Sequence, residues 1–333
     1  MNNCLRTPFH YHLSLILILT ISFLFLASFA NAKDTIRIAV AKQPASALMH
    51  IALKNQYFAN QGLDVIVTEH ASGKRALLDG MVNGEADFVT AAEVPPVFRT
   101  FKADDFRFIA TTNFMNNMNR VVARKDAGIQ APADLRNKKV ATQSSSAVHY
   151  FLYLFLIKHN MLPKDVQMSY MKGKNLPAAL AAGKIDAFSM REPYISEAVS
   201  LLKNNAIVFS EPGLFPQYDV LLATKDILKK PAVVKKVLLA IKQAQTFAEE
   251  NPLQAMQIVA EFSNTNMSKL KTLWNDFHLK IELNQAFLLA LESEADWIMD
   301  EGIISVGQEP DMLYFIDGSA MKSVLPEAFT IIE

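Results

Sequence analysis

"LLDGMVNGEADF" (Leu77 to Phe88) and "ALAAGKIDAF" (Ala179 to Phe188) run through the same order of events in two halves of one chain: the end of an apolar helix, a glycine, two further residues, an aspartate and the start of a strand. The flanks agree as well. Before the first stretch, "TIRIAVA" (Thr35 to Ala41) reads as a strand, "ASALMHIALKNQYFANQ" as a helix ended by Gly62, "DVIVTE" as a strand and "HASGK" as a loop leading into a helix through Met81. Gly84 then makes a turn, and "ADFVTA" reads as the next strand. Before the second stretch, "KKVATQ" is a strand, "SAVHYFLYLFLIKHN" a helix, "DVQMSYM" a strand and "KGKN" a loop. The helix "LPAALAA", the Gly183 turn and the strand "IDAFSM" close the unit. The spans Asp64 to Phe88 and Asp165 to Phe188 differ in length by one residue.

Short apolar strands alternating with amphipathic helices specify an α/β fold with mostly parallel strands. A unit that occurs twice specifies two similar Rossmann-like lobes facing each other across a cleft. "NRVVARKDAGIQAPADLRN" lies between the units and "YDVLLATKDIL" follows the second, so these two segments are expected to carry the two crossover strands between lobes; the alternative is that each is an edge strand of its own sheet. From Pro231 the pattern turns helical. Val233, Val234, Val237, Leu238 and Ile241 mark one face of a helix, and the C-terminal helices are expected to pack on lobe 1. The expected organisation is a signal peptide over 1–32, the first part of lobe 1 over 33–120, lobe 2 over 121–220 and a return to lobe 1 over 221–333.

The signal peptide is read from Arg6, His10 and His12 ahead of the run "LSLILILTISFLFLASFA", with the small residues of "ANA" at Ala30 to Ala32. The alternative is an uncleaved anchor, since the run approaches the roughly 18 residues that span a bilayer. The single cysteine, Cys4, lies inside this segment, so the chain from Lys33 onward has no disulfide, thiolate nucleophile or Cys-based zinc site. With 33 basic and 33 acidic residues, nothing in the charge argues for nucleic acid or an anionic membrane as partner. Neither a Gly-rich phosphate loop, nor a His-Glu-x-x-His pattern, nor a Gly-x-Ser-x-Gly elbow is present, and the histidines are scattered singly. No catalytic residue, metal or cofactor is therefore expected.

In open α/β sheets ligands gather at the carboxyl ends of the strands. That rule selects four loops: "KQPASA", "TAAEVPP", "QSSSA" and "MREPY". Ser144, Ser145 and Ser146 sit where a strand passes into a helix, whose N-terminus attracts oxyanions; one of them alone as a helix cap is the structural alternative. Gln43 and Ser46 hold the matching loop of the first lobe, and Ala92 lies beside Glu93. Glu93 follows Asp87 by six residues and Glu192 follows Asp186 by six, which puts one carboxylate at each expected cleft wall. Each then needs a donor, such as Arg191 or N–H groups of a ligand; the alternative for Glu192 is a structural turn with Pro193. His149 follows the serines, Asn113 and Asp219 flank the crossovers, and Tyr218 belongs to the aromatic side chains able to stack on a flat ligand. Asp87 and Asp186 are expected to fix the turns before their strands.

The stretches "ADFVTAAEVPPVF", "VATQSSSAVHYFLYLFLIKHNMLPKDVQMSYM", "ALAAGKIDAFSMREPY" and "PDMLYFID" give the chain a resemblance to the type II periplasmic solute-binding proteins of ABC importers, in the branch that serves sulfonates, taurine, nitrate and thiamine-pyrimidine precursors. One departure is that many members carry an aromatic residue just before Glu-Pro-Tyr, where this chain has Met190 and Arg191. The resemblance implies a periplasmic monomer that captures a small solute and delivers it to an ABC permease in the inner membrane. Two other classes remain. The branch resembles yeast pyrimidine synthases distantly, but these depend on a pyridoxal-bound lysine and a cysteine-rich motif. A sensory ligand-binding protein would ordinarily be joined to a signalling segment.

Overall fold

Two large sheets and a two-stranded one, Leu283–Asn284 with Phe329–Thr330, lie within the described residues, 33–304 and 309–332 of this computed structural model. The expected signal peptide and Cys4 lie outside them. β1 (Asp34–Ala41) leads to α1 (Ala47–Lys54), β2 (Leu63–His70), β3 (Phe88–Ala92), α2 (Val94–Thr100) and β4 (Phe106–Met115). The chain then crosses over. It forms β5 (Arg120–Arg124), β6 (Lys139–Thr142), α3 (Ala147–Lys158), β7 (Gln167–Tyr170), β8 (Ala187–Met190), α4 (Tyr194–Leu202) and β9 (Ala206–Ser210). It crosses back into β10 (Gln217–Thr224) and continues through α5 (Pro231–Glu250), α6 (Pro252–Ser263), α7 (Met267–Trp274), the short β11 (Phe277–His278) and α8 (Gln285–Asp300). Both lobes belong to one compact unit, Thr35–Glu333.

The first sheet has the order β11-β4-β10-β3-β1-β2 and the second β7-β6-β8-β5-β9. The run β2-β1-β3-β10-β4 therefore matches β7-β6-β8-β5-β9 strand for strand. Ile38 pairs with Phe88 in parallel in one lobe, and Ala141 with Phe188 in the other. β10 is antiparallel to β3 and β4, as β5 is to β8 and β9. In each lobe the fourth place is filled by the strand that has just crossed from the other. The two apolar crossover segments are thus interior strands, and neither is an edge. The crossings proper are 116–119 and 211–216, and they run side by side. Gly213 N–H donates to Asn116 O at 2.9 Å, Ser210 Oγ to Asn117 Oδ1 at 2.7 Å and Asn119 Nδ2 to Gln217 Oε1 at 3.0 Å.

The repeat extends to single atoms. Backbone N–H of Arg37 donates to Asp87 Oδ2 at 2.8 Å, and backbone N–H of Lys139 donates to Asp186 Oδ2 at 2.9 Å. Gly84 and Gly183 both hold left-handed backbone, φ 76° and 68°, which a side chain disfavours by its clash with the carbonyl. One expected helix is shorter than its apolar pattern: α1 stops at Lys54, and Gln56 turns left-handed (φ 58°) before a single further turn, Tyr57–Asn60. Val233, Val234, Val237, Leu238 and Ile241 are buried as the helical spacing requires, and α5 lies on α1 while α8 lies on α2, both in the first lobe. Among the described residues no helix is long and apolar enough to cross a membrane.

Candidate functional site

A cavity of about 390 Å³ opens between the lobes where strands of both sheets end. Gln43 lies in the loop after β1, Ala92 ends β3, and Gln217 and Asp219 come from β10. Arg191 and Tyr194 face them from beyond β8. The remaining wall comes from the C-terminal helices, as the α6–α7 connection Ser263–Asn266 together with Lys269 and Leu273.

Asp219 is buried at the cavity floor. Ser46 Oγ donates to its Oδ1 at 3.4 Å and Thr112 Oγ1 to its Oδ2 at 3.3 Å. Burial raises its pKa to about 7, against the pull of those hydroxyls and of Arg191. Arg191 is the complementary charge. Desolvation lowers its pKa, while Glu93 and Asp219 act on it through space, and no acidic oxygen of a described residue is recorded within ion-pair distance of it. Two lysines also line the cavity: Lys42, paired with Glu69 at 2.9 Å, and Lys269 of α7. Arg191 therefore presents a planar, desolvated set of N–H donors with no counter-ion among the described residues, a fit for a carboxylate or sulfonate head.

Gln43, Ala92, Arg191, Glu192 and Asp219 come together at this cavity. Glu192 also accepts the Ser196 backbone N–H on Oε2 at 3.1 Å, which fixes the first turn of α4. Ser46, Asn113 and Tyr218 lie beneath the wall and are buried. Ser46 Oγ also lies 3.1 Å from Thr90 Oγ1, and Asn113 Nδ2 donates to Ala45 O at 3.3 Å while its Oδ1 has no partner among the described residues. Tyr218 packs edge-on against Phe287, ring centroids 5.2 Å apart, and burial pushes its pKa to about 12.

Glu93 does not stand opposite Glu192. It already has helical backbone at the head of α2 (φ −64°, ψ −37°), and its side chain is wholly buried. The three serines do not line this cavity either. Lys74 Nζ reaches from the first lobe to the carbonyl oxygens of Ser144 and Ser145, each at 3.3 Å, and burial lowers the Lys74 pKa. Ser145 is left-handed (φ 51°). Ser146 stands at the N-cap of α3, yet its hydroxyl donates to Gln143 O at 2.6 Å and caps no helical N–H. His149 has Nε2 at 3.2 Å from Tyr170 Oη, its Nδ1 without a partner among the described residues, and a pKa lowered to about 4 by burial.

The residues that sequence reasoning missed are Lys74 and the wall from Ser263 to Leu273. Lys74 ends the "HASGK" loop, the counterpart of "KGKN", and that symmetry was the available signal. The C-terminal wall carries no such signal, because nothing in "SNTNMSKL" says which face of the first lobe it covers.

Comparison with known proteins places this geometry among relatives. Residues 43–255 match the family described as NMT1/THI5 like. A protein of Brucella abortus, provisionally named a binding protein, is 27% identical over 168 residues, 49% of this chain and 52% of its own length. The chain thus spans about half the length of the first curated relatives it matches. Among solved structures, the periplasmic aliphatic sulphonate binding protein SsuA of Escherichia coli aligns with TM-score 0.73 at 20% identity, covering 85% of this chain and 97% of that one. The alkanesulfonate-binding SsuA of Xanthomonas axonopodis pv. citri, bound to MOPS, aligns with TM-score 0.73 at 19% identity, covering 87% and 100%. These likenesses establish the fold, that of periplasmic binding proteins.

Proposed function

The chain belongs to the NMT1/THI5-like family, and from that premise we propose that it is the extracytoplasmic solute-binding component of an ABC import system, holding a small organic anion of the sulfonate class between its lobes. It acts by binding and not by chemistry on the solute, exports itself by the leader over 1–32, and hands its cargo to a membrane permease. The observation that carries this reading is Arg191, a desolvated guanidinium facing the cavity without a counter-ion among the described residues. A volume of about 390 Å³ lies in the range of small-molecule sites. Asp219 and Gln43 on one wall and Glu192 on the facing one provide acceptors for N–H groups on a zwitterionic solute such as taurine. Names of similar proteins, which refer to aliphatic sulfonates, agree with that chemistry. Closure about the paired crossings, with each lobe touching one solute, is the motion that changes the outer surface a permease reads.

Calorimetry on the chain from Lys33 tests the reading against alkanesulfonates, taurine, nitrate and aminopyrimidines. The expected result is micromolar binding of a sulfonate, about −8 kcal/mol, weakened at least about tenfold in Arg191→Met, the weight of a charge-assisted hydrogen bond. Binding of an aminopyrimidine, unchanged in Arg191→Met and without any sulfonate binding, would replace the anion reading by a heterocycle one.

A further inference from the structure

Behind the cavity floor the carboxyl groups of Glu93 and Glu294 meet. Glu93 stands at the head of α2 and Glu294 lies in α8. Both are wholly buried, and none of their four oxygens has a hydrogen-bond partner among the described donors. Each perturbs the ionisation of the other. Two facing carboxylates, both charged and both cut off from water, repel each other, and only the backbone N–H groups of Glu93 and Tyr218 favour the charged form of Glu93 against the lost hydration. A proton between them removes one charge and supplies the missing donor, since a protonated carboxyl carries an O–H.

None of the described side chains that face the pair hydrogen-bonds to it. β10 contributes Tyr218 and the acid Asp219, and α3 contributes Tyr150, whose pKa burial pushes up. Arg191, beyond β8, acts on Glu93 only through space. Burial pushes the Glu93 pKa to about 8 and the Glu294 pKa well above the usual range, so the proton-bearing form is the one present in neutral solution.

Three residues after Glu294, Trp297 makes a contact between lobes. Its ring lies 5.8 Å from that of Phe98 on α2, and 5.0 and 4.9 Å from those of His149 and Tyr150 on α3. We propose that Glu93 and Glu294 share a proton that holds α8 against α2, and that its loss in alkaline solution loosens α8 and with it the Trp297 contact between the lobes. The proposal is independent of what the cavity binds.

The test is an infrared and fluorescence titration of the solute-free chain from pH 6 to pH 10. The infrared carbonyl band of a protonated, buried carboxyl is expected at neutral pH and is lost with an alkaline midpoint. Trp297 emission, read in a Trp274→Phe background, shifts with the same midpoint. Both changes disappear in the Glu93→Gln, Glu294→Gln double variant, and the difference spectrum assigns the band to this pair. Absence of a protonated-carboxyl band in the parent protein at neutral pH overturns the shared proton whether or not the variant folds. A band that titrates while Trp297 emission stays constant overturns the loosening.

Discussion

Asp87 and Asp186 occupy the same place in the two lobes: each carboxylate accepts the backbone N–H of a residue in the lobe's leading parallel strand, Arg37 at 2.8 Å and Lys139 at 2.9 Å. In return the N–H of each aspartate donates to the carbonyl of the same residue, at 2.9 and 2.8 Å. The environments differ, since Asp87 also holds the Arg37 guanidinium at 2.6 Å, whereas no side-chain donor is recorded on Asp186.

Asp186→Ala is accordingly expected to cost about 1 kcal/mol, the net worth of one partly solvated hydrogen bond. Asp87→Ala is expected to cost about 2 kcal/mol, since the guanidinium loses its partner as well, discounted because Arg37 is substantially exposed. Urea denaturation of the two variants checks the ranking; equal losses contradict it.

The two glycine turns predict unequal costs as well. A methyl group at Gly84 meets nothing within 4 Å, so Gly84→Ala carries only the left-handed backbone penalty of about 1 kcal/mol. At Gly183 the same methyl runs into the Arg124 guanidinium, which is held by Asp126 at 2.9 Å. Gly183→Ala should therefore lower the thermal midpoint further than Gly84→Ala does.

Asp219 gives the proposed anion site a pH dependence. Its pKa is raised to about 7 by burial, so it is largely neutral below that pH and charged above it. A charged Asp219 beside Arg191 competes with an anionic solute. Affinity should fall by up to about tenfold as pH rises from 6 to 8, the weight of one pKa unit of linkage, and Asp219→Asn should flatten the profile in calorimetry. An affinity that rises with pH would argue against an anionic ligand.

On the acid side, His50 controls stability. Its Nε2 lies 3.0 Å from Ala41 O, its ring stacks on Phe262 at 4.2 Å, and burial lowers its pKa to about 4. The folded state thus binds fewer protons than the unfolded chain between about 6.5 and 4. The sign follows: His50 contributes its full stability above pH 6.5 and loses it as pH falls through 4. His149, lowered in the same way, adds to the slope. Urea midpoints measured between pH 7 and pH 4 should decline less steeply in His50→Phe than in the parent.

The double lobe was legible because its signals are local. A glycine that must turn left-handed and an aspartate that must meet a strand recur at Gly84 and Asp87, then at Gly183 and Asp186. The interleaving of β5 and β10 is half legible: the sequence marks both as crossing segments, but their interior places depend on pairing between distant strands. At the candidate site, Arg191 and Glu192 follow from the rule of strand ends. The burial of Glu93 does not, because its partner Glu294 lies in α8. Yet Glu294 shares a helical face with the buried Leu291, Ala295 and Ile298, and an acid at a core position of an amphipathic helix is a readable sign of a buried polar pair. The serine loop was misplaced for a simpler reason. Hydroxyls at a helix start are expected to face the cleft, whereas the backbone there turns its carbonyls toward Lys74.

The interleaved strands also constrain the order of assembly. The second sheet comes from one uninterrupted stretch, Arg120 to Ser210, whereas the first lacks the strand between β3 and β4 until Gln217–Thr224 has been delivered. A chain emerging from its N-terminus can complete its second lobe while the first still shows two unpaired strand edges. Those edges are the places where a stalled or slowly delivered chain is exposed to wrong partners, so the lobe that begins first finishes last and sets the pace of maturation.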